Sequence, residues 1–267
     1  MKFRILACLI SACCLLAGCE KTDRKYEISE AAVTNETQTE CGHDYSSVIA
    51  GYMKFAEVLI NEQVSSIPVD LDFSSFEEND EELIYDWGCM LAEMMIWSCQ
   101  SLSKEKDYFG YALKDLNNDK TSELILLTKD FDILAIFTTI NDKPKLVDAY
   151  WSRHRCAIYD SNTLYTYSSS GAANYCYRLQ VISQNTGELV TLKEYGSDTD
   201  HYYKIINGEQ SVISESEYEE FEKTYPALFY DVAMDFNKNS GIEFMPFSID
   251  GILSEYKIFP KTPQNCF

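Results

Sequence analysis

A chain of 267 residues that is 46% hydrophobic and 13% aromatic can bury a substantial core, which excludes a wholly disordered or low-complexity protein. Its 43 acidic residues against 22 basic ones give a net charge of −21. Such a field repels phosphate backbones and anionic headgroups, so it argues against nucleic acid as a partner and leaves cationic ligands, divalent ions or plain solubility as its uses.

The chain opens with two positive residues, Lys2 and Arg4, followed by an uncharged and mostly apolar run from Ile5 to Leu16. That run is too short to cross a bilayer as a helix but fits a secretory signal. It ends in Leu16-Ala17-Gly18-Cys19, which resembles a bacterial lipobox. The resemblance implies that residues 1–18 are a signal peptide and that Cys19 is lipidated and becomes the new N-terminus. Each buried methylene adds about 0.8 kcal/mol, and two or more acyl chains hold a protein stably on a membrane. Glu20 to Glu40 is polar and lacks Gly and Pro, so residues 19–40 read as a lipid-anchored tether of about 20 residues reaching roughly 25 Å.

The rest, 41–267, is expected to form one α+β domain with a helical part at 44–103 and a β-rich part at 108–250. Val48, Tyr52, Phe55, Val58 and Leu59 recur at helical spacing between about Asp44 and Gln63. A second helix is expected from about Asp80 to Leu102, with Leu83, Trp87, Met90, Leu91, Met94 and Met95 on a broad apolar side that fits burial against a sheet. Its methionines read as core filling.

From Tyr108 the period becomes alternating. Strands are expected at Leu124–Leu127, Leu134–Ile140, Lys145–Trp151, Cys156–Tyr159, Leu164–Tyr167, Tyr175–Ile182, Leu189–Tyr195, Tyr202–Ile206 and Gln210–Ile213. Asn141-Asp142, Asp160-Ser161-Asn162, Asn185-Thr186-Gly187 and Asn207-Gly208 mark the turns between them. Short hairpin-linked strands predict an antiparallel meander with the helices packed on it. Ser214 and Glu217 make a capping box, with Ile213 and Tyr218 placed as a hydrophobic staple, so one further helix is expected near 214–225 before Pro226 stops it. Ile242–Ile249 is an edge strand at best, because of Pro246.

Beyond Cys19, cysteines stand at 41, 89, 99, 156, 176 and 266. An even number in an exported protein permits up to three disulfides. Cys89 and Cys99 fall on one helix about 15 Å apart along its axis, so they cannot pair with each other. None has the spacing of a zinc cluster.

The candidate metal site is Asp115-Leu116-Asn117-Asn118-Asp119-Lys120-Thr121-Ser122-Glu123. Oxygens of Asp115, Asn117, Asp119, Thr121 and Glu123 can converge on one hard cation in a tight loop, and calcium takes six to eight such oxygens. The alternative is a structural Asx-rich turn. It is not an EF-hand, because Lys120 stands where that loop needs Gly and Leu126 where it needs Glu.

Tyr111-Ala112-Leu113-Lys114-Asp115-Leu116-Asn117-Asn118-Asp119, followed by Glu123-Leu124-Ile125-Leu126, resembles the YALxDxDGDGxxEL-type strand-loop-strand signature of uncharacterised surface lipoproteins of Gram-positive gut bacteria. It is also similar to the calcium-binding loops of integrin-type propellers. The likeness extends through the Ser-Gly loop within Leu164–Tyr177 and the Tyr202–Tyr225 segment, covering roughly Tyr108 to Pro226. Calcium is the cofactor it implies. Both loop glycines are replaced here, by Asn118 and Lys120.

Other signatures are weak. His43, His154 and His201 read as surface or satisfied polar residues with no shared metal site. Ser101-Leu102-Ser103-Lys104 matches the serine-x-x-lysine pattern but ends its helix and has no Lys-Thr-Gly partner. There is no GxSxG, P-loop, HExxH or dinucleotide fingerprint. Tyr165, Tyr167, Tyr175 and Tyr177 offer an aromatic face that can stack on sugars or hold a peptide, against cross-strand core packing. The sequence therefore points to a lipid-anchored protein on the extracytoplasmic membrane face that binds an extracellular ligand or protein without catalysis. The alternative is a hydrolase of cell-wall or dietary polymers, recognisable by Ser and His in contact or by converging carboxylates.

Overall fold

The structure is a computed structural model, and it describes residues 45–60, 81–99 and 107–247. The signal segment, the tether, Ser101–Lys104, Cys41, His43, Cys266 and the end of the expected last strand lie outside the described residues. Helices α1 (Ser46–Ile60) and α2 (Glu81–Cys99) come first. Strands β1 (Phe109–Lys114), β2 (Glu123–Thr128), β3 (Ile133–Ile140) and β4 (Lys143–Ala149) follow, then β5 (His154–Ile158), β6 (Leu164–Ser169) and β7 (Tyr175–Ile182). β8 (Leu189–Ser197), β9 (Tyr202–Ile206) and β10 (Glu209–Ile213) lead into α3 (Glu215–Thr224), α4 (Tyr230–Asn239) and the short β11 (Met245–Pro246).

The α+β class holds, but the single meander divides into two antiparallel sheets. One has the order β11-β1-β2-β3-β4 and the other β10-β9-β8-β7-β6-β5. The physical reason lies in β2, which is buried at every position. Leu124 and Leu126 pack with Tyr52, Phe55, Met90 and Met94 of α1 and α2. Ile125 and Leu127 point the other way and pack with Cys156, Ile158, Leu164 and Ile182 of the second sheet. A strand apolar on both faces needs a layer on each side. The chain supplies the second layer at the corner after Ala149, where Trp151 and His154 form an isolated bridge.

The outer face of the second sheet is covered in turn. Ala157, Tyr165, Tyr177 and Leu179 pack with Tyr218 and Phe221 of α3 and with Leu228 and Ala233. The Ser214 hydroxyl caps α3 by accepting from Glu217 N at 3.2 Å. The reciprocal half of the box goes elsewhere, because Glu217 accepts from Lys204 Nζ at 2.6 Å. Ile213 and Tyr218 are both buried in that cluster, as the staple requires. The expected hairpin turns form: Asn141 and Asp142 have φ of 52° and 60°, Asn207 and Gly208 of 53° and 81°.

A second C-terminal helix, α4, was not expected. Its apolar signal is weak because one of its two fully buried positions is polar: Asn237 has no exposed surface. Asn237 Oδ1 accepts from Ile158 N at 2.8 Å, while Nδ2 donates to Cys156 O at 3.2 Å and Phe131 O at 3.0 Å. Phe131 itself is held at a φ of 67°, in the β2–β3 turn. Asn237→Ala would leave a buried N–H and two carbonyls without this partner, and each such group costs about 1–3 kcal/mol. A drop of about 3 kcal/mol in unfolding free energy is expected by denaturant titration, and a change below about 1 kcal/mol would show that the junction does not depend on it.

Candidate functional site

The loop between β1 and β2 is closed by its own hydrogen bonds. Asp115 Oδ2 accepts from Lys120 N at 3.0 Å, and Asp119 Oδ1 from Thr121 N at 2.7 Å. Asn117 Oδ1 accepts from Asp119 N at 2.9 Å. Asn117 Nδ2 donates to Asp119 Oδ2 at 3.0 Å and to Glu123 Oε1 at 2.9 Å, so its amide lies between two carboxylates. Buried Glu123 also accepts from Leu116 N at 2.7 Å and Thr138 Oγ1 at 3.0 Å. The carbonyls of Asn117 and Ser122 are taken by Gln184 and Tyr45. Asn118 and Lys120 occupy the left-handed region at φ of 61° and 72°, where the resembling signature has glycine. The five sequence-selected residues do meet in one loop, in the manner of an Asx-rich turn.

Tyr165, Tyr167, Tyr175 and Tyr177 share the α3-facing side of the second sheet, since Tyr167 pairs with Tyr177 and Tyr165 with Leu179. Tyr165 and Tyr177 are buried, with ring centroids 5.8 Å apart, and the Tyr165 hydroxyl donates to Pro226 O at 3.0 Å. Tyr167 and Tyr175 are half-buried at the margin, with the Arg155 guanidinium 5.4 Å from the Tyr167 ring. Across this layer Tyr195 stacks on Phe221 at 4.1 Å and Tyr202 on Tyr218 at 4.5 Å. These contacts are cross-strand and helix-on-sheet packing.

Sequence reasoning missed a third constellation at the corner between the sheets. His154 is buried, with its ring stacked on Tyr150 at 5.1 Å. Its Nε2 meets Asp148 Oδ2 at 2.9 Å and its Nδ1 meets Ser168 Oγ at 2.6 Å. Arg178 Nη1 donates to the same Ser168 Oγ at 3.1 Å, and Arg178 Nε donates to Glu194 Oε2 at 2.7 Å. The Tyr203 hydroxyl closes the row on Glu194 Oε1 at 3.0 Å. This polar ladder crosses β5 to β9 on one face. On its other side Asp86 of α2 joins Asp148 and His154, with ligand atoms all within 4.8 Å of one another. Among the described residues that is the one such group of three, and the loop carboxylates do not form another. Asp86 is held by Trp151 Nε1 at 2.8 Å and Asp148 by Ala149 N at 2.8 Å. The signal in the sequence was an Asp inside an expected strand six residues before a His.

Burial alone would lower the His154 pKa, but the Asp148 charge and hydrogen bond, with Asp86 beyond, outweigh it and the opposing Arg178, so the net direction is up. Burial raises Asp86 to about 6 against the pull of His154 and Trp151. No protein family, curated protein or solved structure matches the chain.

Burial likewise pushes the Glu123 carboxyl up to about 7; the Leu116 and Thr138 hydrogen bonds oppose this, while Asp119 and Asp115 reinforce it. Burial takes Asp132 to about 8. A carboxyl with a raised native pKa binds its proton more tightly folded than unfolded, so stability falls as pH climbs from the unfolded value toward the native one. Melting temperature is therefore expected to fall between about pH 5 and pH 8, and Glu123→Gln should flatten that slope while lowering stability at the acid end. In the same melts excess EDTA and millimolar calcium should give superimposable curves, because five of the six carboxylate oxygens of Asp115, Asp119 and Glu123 already have donors and only Asp115 Oδ1 does not. A calcium-dependent rise lost in Asp119→Ala would restore the loop as a metal site.

Proposed function

We propose that the chain is a lipid-anchored protein of the extracytoplasmic membrane face whose folded part is a non-catalytic binding or interaction module. The observation that carries this reading is Leu16-Ala17-Gly18-Cys19 closing a short apolar run behind Lys2 and Arg4. The likeness of Tyr108–Pro226 to surface lipoproteins supports it, as does a strongly acidic composition suited to a solvent-facing domain. No described helix is long and apolar enough to cross a membrane. In bacteria carrying a fatty-acid probe the full chain should be labelled, and Cys19→Ala should be unlabelled and remain as precursor. Label persisting in that variant would remove the anchor from the reading.

The hydrolase alternative has one specific observation in its favour, the contact of Ser168 with His154 in line with Asp148. Its wiring is unsuited to a nucleophile. A serine is activated when a neutral imidazole accepts its proton. His154 is shifted toward its charged form, in which it donates to Ser168, and Arg178 donates to the same oxygen. Ser168 also sits inside a regular ladder, paired with His154 on one side and Cys176 on the other, rather than on a sharp turn that would expose it. A fluorophosphonate probe is expected to leave Ser168 unmodified at neutral pH. Labelling abolished by Ser168→Ala would turn the reading to the hydrolase.

A further inference from the structure

We infer that Asp86, Asp148 and His154 form a binding site for one divalent transition-metal ion, with zinc as the ion that fits the ligand set. The inference stands independently of the lipid anchor. The three residues come from α2, β4 and β5, so the ion would tie a helix to the corner where the chain passes from one sheet to the other. Ligands about 2.0 Å from a tetrahedral ion stand roughly 3.3 Å apart. Asp148 Oδ2 and His154 Nε2 are already 2.9 Å apart, and all three ligand atoms lie within 4.8 Å. Small side-chain adjustments are enough to seat the ion.

The surroundings are those of ligands held in place. A metal-binding histidine usually engages its other ring nitrogen in a hydrogen bond that fixes the ring. His154 Nδ1 does so with Ser168 Oγ at 2.6 Å, leaving Nε2 toward the carboxylates. Trp151 Nε1 holds Asp86 Oδ1 and Ala149 N holds Asp148 Oδ1, while Asp148 Oδ2 meets His154 Nε2, so both carboxylates are fixed in orientation at the cluster. A separate observation points to a ligand here. Tyr150 is 1% exposed, and its hydroxyl lies beside Asp148 and Cys156 without a well-formed hydrogen bond to either. A buried hydroxyl whose hydrogen bonding is incomplete is costly to leave so. It is a hydrogen-bonding group available to whatever enters next to Asp148, including a water in the fourth metal position.

The ligand chemistry selects the ion. An imidazole with two carboxylates suits zinc and its first-row neighbours, whereas calcium and magnesium need sites built of oxygen alone and more ligands than these. On binding, Nε2 gives up its proton to solvent, and the Asp148–His154 hydrogen bond is exchanged for two bonds to the metal.

The test uses the full chain stripped with chelator. Zinc is titrated in competition with a chromophoric chelator, melting curves are recorded with and without zinc, and cobalt(II) is substituted for its visible spectrum. One equivalent of zinc should be retained and should raise the melting temperature. The cobalt spectrum should lack thiolate charge-transfer bands, which separates this site from the cysteines. Asp86→Asn keeps an acceptor for Trp151 and should weaken zinc binding by about a hundredfold while melting like the wild type in EDTA. His154→Gln should abolish it; if that variant fails to fold, Asp86→Asn decides alone. The inference is overturned if the wild type loses zinc to the chelator, if Asp86→Asn binds as tightly, if thiolate bands appear, or if calcium or magnesium stabilises as zinc does.

Discussion

A strand at the edge of a sheet carries backbone N–H and C=O groups with no neighbouring strand, and when that edge is buried between layers they must be satisfied by something else. β5 is such an edge. Cys156 and Ile158 face the first sheet and Ala157 faces the helices, so water cannot serve its backbone. Asn237 fills the role of the missing strand, with its amide oxygen on Ile158 N and its amide nitrogen on Cys156 O. The same nitrogen reaches Phe131 O in the other sheet. One side chain on α4 thus holds the helix, the edge of the second sheet and a turn of the first sheet in register. The layered packing of α1 and α2, the two sheets, and α3 with α4 depends on that junction being polar in a specific way rather than merely apolar.

The inner face of the second sheet shows a related solution. At Cys156, Ile158 and Leu164 it is apolar and packs on the first sheet, but a row across β5 to β9 carries His154, Ser168, Arg178, Glu194 and Tyr203. The two bases, His154 and Arg178, share the Ser168 hydroxyl, and each has a carboxylate within hydrogen-bond distance, Asp148 at 2.9 Å and Glu194 at 2.7 Å. Burying charge in this way adds little net stability, but removing one member would leave its neighbour uncompensated. Gly196 belongs to the same arrangement. A Cβ there would lie 2.6 Å from the Tyr203 ring, so only glycine lets that ring cross to Glu194.

The parts legible in the sequence were those set by local chemistry. Asn207-Gly208 and Asn141-Asp142 turn where their tolerance of positive φ allows, and Ser214 starts α3 while Pro226 ends its reach. Alternation located β2 to β10 to within a residue or two, whereas β1 was absent from the expected strands and β11 is shorter than expected. The division into two sheets was not legible, because alternation says that Leu124 and Ile125 face opposite ways but not what covers either face. α4 was hidden because Asn237, its most constrained residue, looks like a surface residue until the edge it serves is known. The Asp115–Glu123 loop was found because its oxygens are close in sequence. Asp86 and His154 were not paired, because only the tertiary fold brings α2 to the corner.

These two acidic clusters differ in how much of their negative charge is met by local donors. In the loop, donors are local and plentiful: the N–H groups of Leu116, Lys120 and Thr121, the Thr138 hydroxyl and both hydrogens of the Asn117 amide all point at carboxylate oxygens. An aspartate at position 117 would have added a charge and removed those two hydrogens, and a cation would then have been needed to hold the loop closed. Asparagine supplies donors that leave only Asp115 Oδ1 of these carboxylate oxygens without one. At the corner, Asp86 and Asp148 meet the Trp151 indole, the Ala149 N–H and a single imidazole, and the nearby Tyr150 hydroxyl makes no well-formed hydrogen bond. Two carboxylates sharing one titratable base are balanced only while that base keeps its proton, and a divalent ion balances them without it.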